Sequence, residues 1–139
     1  MSDAQATAYL ELAHTFAKAA EARDADQLIP LYHPDGRFWN NVRQHVSTTA
    51  DIVEITRLEA KVIAKYVFED VRCTATSEGF VVQMNVTGTT NSGSDFAVHT
   101  CLVAKVTDNL ISQVDEYVDA TQAAPIFAEL LSSFTAEAP

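Results

Sequence analysis

The residue best placed for acid–base chemistry is Glu116, because the sequence around it leaves it on an apolar face. Strand residues alternate sides. Between Leu110 and Asp119 one set is polar (Gln113, Asp115, Tyr117, Asp119), while the other holds Val114, Glu116 and Val118. A carboxyl turned inward with two valines loses hydration, so its pKa rises towards the range of a general acid or base at neutral pH. The plainer alternative puts Glu116 at the open end of a sheet, facing water or an arginine from a helix. Asn40 shares a face with Phe38, opposite Trp39 and Asn41. As an inward amide it would fix a water or a carbonyl oxygen; as a turn residue it would bond backbone. His99, between Val98 and Thr100, would form a dyad with Glu116 if inward. It shares parity with Lys105, however, which argues for the outer face unless a bulge intervenes.

Other side chains could wall a pocket. Phe16, Tyr32, Phe38 and Trp39, with Val114 and Val118, supply apolar and aromatic surface, although such a set serves equally as plain core. From Phe80 to Thr90, Val82, Met84 and Val86 alternate with Gln83, Asn85 and Thr87. Either the apolar set faces the pocket, or it faces a second copy of the chain and Asn85 lines the pocket. His33 before Pro34 reads as a turn residue. Cys73 and Cys101 lie in no CxxC and near no metal-spaced histidine pair, so they read as reduced strand residues and no metal is expected.

The elements that would position these groups follow from periodicity. Asp3–Arg23 is rich in Ala, Leu and Glu without Gly or Pro, and Leu12, Phe16 and Ala19 or Ala20 make one apolar stripe. Arg23-Asp24-Ala25-Asp26 reads as a break with a new N-cap. A short helix through Gln27, Leu28 and Ile29 follows, ended by His33-Pro34-Asp35-Gly36. An extended piece, Arg37–Asn41, precedes a third helix that is capped within Ser47-Thr48-Thr49 and carries Asp51 in its first turn. Ile52, Ile55, Leu58 or Glu59, and Val62 continue its stripe to about Lys65. Four strands come next, at Tyr66–Ser77, Phe80–Thr90, Phe96–Val106 and Leu110–Asp119. Pro125 is expected to interrupt a closing helix that extends towards Phe134, with the last residues frayed. Helices followed by a hairpin-connected meander give an α+β fold, a cone-shaped curved antiparallel sheet covered on its concave side by N-terminal helices.

Bulk properties narrow the function. The 139 residues suit one domain, 1–139, and 47% apolar content supports a full core. A net charge of −10 repels phosphate backbones and anionic lipid, so neither nucleic acid nor membrane is expected as a partner. A small apolar or oxygenated molecule meets no such penalty. No signal-peptide pattern is present at Met1–Gln5, and a cytoplasmic location is expected. There is no GxGxxG after a strand, no GxxxxGK[ST], no GxSxG and no HExxH, so nucleotide, nucleophilic-serine and metalloprotease chemistry lapse and no cofactor is expected.

The order of elements, Leu31-Tyr32-His33-Pro34-Asp35 after the short helix, and Glu116-Tyr117-Val118-Asp119 on the last strand resemble the nuclear-transport-factor-2-like superfamily. The polyketide-cyclase-like (SnoaL-like) branch is the nearest, and the likeness runs from about Ala8 to Phe127. The resemblance implies a cone with a central pocket and commonly a homodimer through the outer sheet face; it does not imply one reaction, because fold alone does not set function. Ketosteroid isomerases of this fold oppose a carboxylate base to a tyrosine and a protonated aspartic acid. Here those positions fall on Asn40, Phe16 and His99 or Thr100, so that chemistry is not expected. Limonene-epoxide-hydrolase-like sites match at Asn40, as a water-orienting amide, and at Glu116, as the base; the tyrosine becomes Phe38, and the Arg-Asp pair becomes about Asn85 and Thr87. Without that pair, proton donation to an epoxide has no agent, so that chemistry is not expected either. The reading that remains rests on Glu116 breaking its apolar face: a cofactor-independent cyclase, isomerase or hydrolase with Glu116 as acid/base and Asn40 or His99 orienting substrate or water. The alternative is a non-catalytic ligand-binding or dimeric accessory domain.

Overall fold

The computed structural model describes the backbone of residues 1–137 and the side chains of residues 1–133. The expected fraying of the last residues falls, for 138 and 139, outside the described residues.

Helix α1 (Asp3–Ala22) starts at Ser2, whose hydroxyl accepts from Gln5 N, and stops at Arg23, which adopts the left-handed conformation. Its buried stripe is Ala13, Phe16, Ala17 and Ala19. Asp24 accepts from the backbone of Asp26 and Gln27 to cap the short α2 (Ala25–Leu28), which runs into a 3₁₀ turn, Ile29–Leu31. Strand β1 (Tyr32–Asn40) follows directly. His33-Pro34-Asp35-Gly36 therefore does not separate helix from strand. It lies within β1, as the irregularity between Tyr32 and Arg37 where register with the neighbouring strand shifts. A proline without an N–H and a glycine fit such a bulge.

A short strand absent from the expectations, β2 (Val46–Thr48), pairs antiparallel with β1. Helix α3 (Thr49–Val62) is closed by a capping box in which Thr48 Oγ1 accepts from Asp51 N and the Asp51 carboxylate accepts from Thr48 N. Its chain passes into β3 (Ile63–Ala75) with no loop, so residues 63–65 are strand rather than helix. Strands β4 (Gly79–Thr90), β5 (Asp95–Thr107) and β6 (Leu110–Val118) match the expected meander. Helix α4 (Ala120–Glu137) runs unbroken through Pro125, contrary to expectation. The proline removes one helical hydrogen bond, but Ile126 and Phe127 just beyond it pack on the core.

The six strands form one sheet in the order β2-β1-β6-β5-β4-β3. All pairings are antiparallel except β1 with β6, which is parallel. The helices cover one face. Phe80, Val82, Met84 and Val86 of β4 and Val98, Leu102 and Ala104 of β5 are buried there with Phe16, Leu28, Tyr32 and Phe38. The apolar set of β4 thus faces inward, which resolves its parity. Glu21 fastens α1 to β3 by accepting from Phe68 N at 2.7 Å. Gly88 permits the close pairing of β3 on β4: a Cβ there would lie 1.8 Å from Lys65 O.

Candidate functional site

The inner sheet face and the helices enclose a cavity of about 200 Å³. Its walls are mostly apolar and aromatic, with Phe16, Tyr32, Phe38, Tyr66 and Phe68 among them. Tyr32 meets Phe38 edge-on, with ring centroids 4.9 Å apart. Glu116 and Asn40 stand in this wall, brought together by the parallel pairing in which Phe38 faces Val114 and Asn40 faces Glu116.

Asn40 Nδ2 donates to Glu116 Oε1 at 3.1 Å. Its other end is committed, because Val42 N and Arg43 N both donate to Asn40 Oδ1 at 2.9 Å. Two backbone donors on the oxygen fix which way the amide points. Asn40 is therefore both turn residue and inward amide, and the two readings of the sequence are one arrangement. Asn41 secures the same strand ends through a reciprocal pair with the backbone of Val118, at 3.0 and 2.9 Å. Burial raises the pKa of Glu116, and the bond from Asn40 opposes that rise by stabilising the charged form.

A second carboxyl lines the cavity from the helical side. Glu59 lies on α3 with Ile52, Ile55 and Thr56, which also line it. Burial, and then the charge of Glu116, push Glu59 up to about 8 against the pull of Arg23. Arg23 Nη1 donates to the carbonyl of Glu59, at 3.1 Å, and to that of Ile63. It thus satisfies the end of α3, where a cation also complements the helix dipole. The guanidinium lies 5.2 Å from the Tyr66 ring centroid, and Arg23 Nε is buried without a partner among the described residues. The hydroxyls of Tyr32 and Tyr66 are held protonated by burial, reinforced by both carboxyls.

Phe16, Tyr32, Phe38, Trp39, Val114 and Val118 all border the cavity. The Trp39 ring also packs edge-on against Tyr117 of the outer face, with centroids 5.5 Å apart. Two candidates lie elsewhere. His99 is exposed on the outer face, its Nδ1 3.2 Å from Gln122 Oε1, while Thr100 beside it lines the cavity. The Lys105 parity holds because β5 pairs with β4 without a bulge. Asn85 faces outward as the register partner of His99, and its Oδ1 is buried with no partner among the described residues. Neither lines the cavity.

Glu59 and Arg23 were not singled out from sequence. Glu59 carried a signal: it stands four residues after Ile55 and seven after Ile52, so a helix places it on the apolar stripe. Arg23 carried none, since its role depends on a left-handed turn that aims it at a helix end distant in sequence. Among the described residues no group of three or more His, Cys, Asp or Glu could hold a metal ion. No described helix is long and apolar enough to cross a membrane.

The family model of the SnoaL-like domain matches residues 13–114. The chain belongs to the SnoaL-like domain family. That stretch runs from the buried face of α1 to Val114, so it includes Asn40 and Glu59 and ends two residues before Glu116. No curated protein matches this SnoaL-like chain in sequence. Among solved structures it is similar to an epoxide hydrolase of the LEH-like kind from M. tuberculosis, with 16% identity, TM-score 0.73, and 94% of this chain and 95% of that one covered. A candidate polyketide cyclase from Pseudomonas putida KT2440 aligns with 13% identity and TM-score 0.74, over 82% of this chain and 93% of its own. An NTF2-like protein from Burkholderia xenovorans LB400 gives 16% identity and TM-score 0.72, over 86% and 95%. At such identities the likeness establishes the nuclear-transport-factor-2-like fold of the SnoaL-like chain, and no more.

Proposed function

We propose that the chain is a cofactor-independent enzyme that moves a proton on a small, oxygenated, largely apolar molecule held in the cavity, with Glu116 as the acid/base. The observation that carries this is the Asn40–Glu116 hydrogen bond inside a cavity otherwise walled by apolar and aromatic side chains. Desolvation makes the carboxylate a stronger base than it is in water, and the amide holds it in one orientation. The walls bind apolar carbon by area, while Tyr32 and Tyr66 offer hydroxyls to its oxygens. The names of structural relatives, an epoxide hydrolase and a candidate polyketide cyclase, are compatible with this class and select neither reaction.

A thermal-shift panel of oxygenated terpenoids, steroids and aromatic polyketides identifies a ligand, and turnover of that ligand is then compared between wild type and Glu116→Gln. Loss of about a hundredfold in kcat with the fold intact is expected. Equal rates refute Glu116 as the acid/base. Saturable binding with no turnover by wild type replaces the enzyme with a binding module.

The outer sheet face supports self-association as a homodimer. It presents Val103 and Tyr117, which are 37% and 45% exposed, beside Trp39. Sedimentation should give twice the 15.2 kDa chain mass for wild type and a lower mass for Val103→Glu. A wild-type monomer at high concentration removes the proposal.

A further inference from the structure

The cavity holds two carboxyls from opposite sides, one from the last strand and one from α3, and their surroundings differ in a way that assigns them different work. Glu116 receives an N–H from Asn40, whose orientation is fixed by two backbone donors on its oxygen. That geometry can only donate to Glu116, so it favours the ionised form. Glu59's carboxyl takes part in no hydrogen bond or salt bridge among the described residues. The cation whose charge acts on it, Arg23, spends its Nη1 on backbone carbonyls. Burial first, and then the charge of Glu116, oppose ionisation of Glu59, so the proton goes to the carboxyl without a donor.

Resting on the reading of Glu116 as base, we propose that Glu59 is a second catalytic residue, the proton donor to a substrate oxygen on the α3 side of the cavity. In one turnover Glu116 takes a proton from a C–H or from water at the reacting centre. The released electron pair makes the new bond, the electrons of the bond to oxygen that breaks move onto that oxygen, and Glu59 gives it its proton. Glu116 ends protonated and Glu59 ionised. Exchange with solvent past the exposed Arg43 and His45, which line the cavity, restores both. The substrate class follows: a small molecule with a bond to oxygen that breaks, driven by loss of its own C–H proton or by attack of water, and that leaves a hydroxyl at that oxygen. Burial and the charge of Glu116, which raise Glu59 to about 8, keep such a donor loaded at neutral pH.

The reaction of 1,2-benzisoxazole tests this without the natural substrate. Glu116 would remove the C3 proton, the C–H electrons would form the nitrile, the N–O bond would break, and the phenolate oxygen would take the proton of Glu59 to give 2-cyanophenol. With 5-nitro-1,2-benzisoxazole the leaving oxygen is acidic enough to need little help. Glu59→Gln should slow the unsubstituted probe by roughly a hundredfold and the nitro probe by only a few fold, and should abolish the fall in rate at alkaline pH. A purely structural role would slow both probes alike. Equal slowing of both, or no slowing, overturns the proposal while leaving Glu116 as base, provided Glu116→Gln abolishes both reactions. Should wild type show no turnover of bound probe, the base reading falls and the donor with it. The direct check is carboxyl 13C NMR. One glutamate titrating near pH 8 should disappear in Glu59→Gln and move to lower pH in Glu116→Gln; its absence in wild type also overturns the proposal.

Discussion

Replacing Glu59 by Gln should make the protein more stable, and increasingly so as pH rises. A carboxyl whose pKa rises from 4.5 unfolded to about 8 folded binds more protons in the native state between those values. Unfolding free energy then falls with pH across that window and levels off above it. The full shift corresponds to about 5 kcal/mol above pH 8, from about 1.4 kcal/mol per unit. Glu59 is partly exposed, so solvent screening reduces the effect, and we expect about 2 kcal/mol. Gln keeps the shape and does not titrate. For 139 residues the gain is worth about 7 °C in Tm. Calorimetric melts of wild type and Glu59→Gln from pH 5 to pH 9 are the assay. The two should nearly coincide at pH 5 and diverge to pH 8, with the variant higher. Parallel curves across the range would show that Glu59 is no more protonated in the fold than in the unfolded chain, and the argument for its neutral state would fail.

Two further changes probe the same construction. Asn40→Ala removes the donor to Glu116 and the acceptor for Val42 N and Arg43 N, so urea melts should show a loss of about 1–2 kcal/mol. The acidic limb of any Glu116-dependent pH–rate profile should also move to higher pH, because the opposing bond is gone; an unmoved limb would mean that Asn40 does not tune the base. Gly88→Ala puts a Cβ 1.8 Å from Lys65 O and 2.7 Å from the Phe96 ring, and should cost about 3 kcal/mol in urea melts. A loss below 1 kcal/mol would mean that β3 and β4 part easily at that point.

Much of the fold was legible in the chain, for local reasons. The stripe of α1, the Asp24 cap, the Thr48–Asp51 capping box and the alternation of β4 to β6 are short-range patterns, and short-range physics sets them. Failures came where tertiary contacts outweighed a local signal. His33-Pro34-Asp35-Gly36 has turn chemistry, yet it lies within β1 because the segments around it pair with β2 and β6. Pro125 carries a break signal, yet α4 continues because the residues past it have a core to pack on.

The site divides in the same way. Period-two alternation alone put Glu116 on an apolar face with Val114 and Val118, and the parity with Lys105 already pointed His99 outward. Which face of β4 lines the cavity depended on where the helices lie. Alternation gives two faces and no direction, and the side that Asn85 takes is decided by the helices, which cover Met84 and Val86. The partners of Glu116 were beyond any reading of the chain. Asn40 is 76 residues away and reaches it only through the parallel pairing of β1 with β6. Glu59 shares a cavity with it only because α3 packs over that sheet face. Sequence fixes which side a carboxyl takes on its own element, since that is local geometry; its charge state depends on which charges and donors long-range packing brings within a few ångströms.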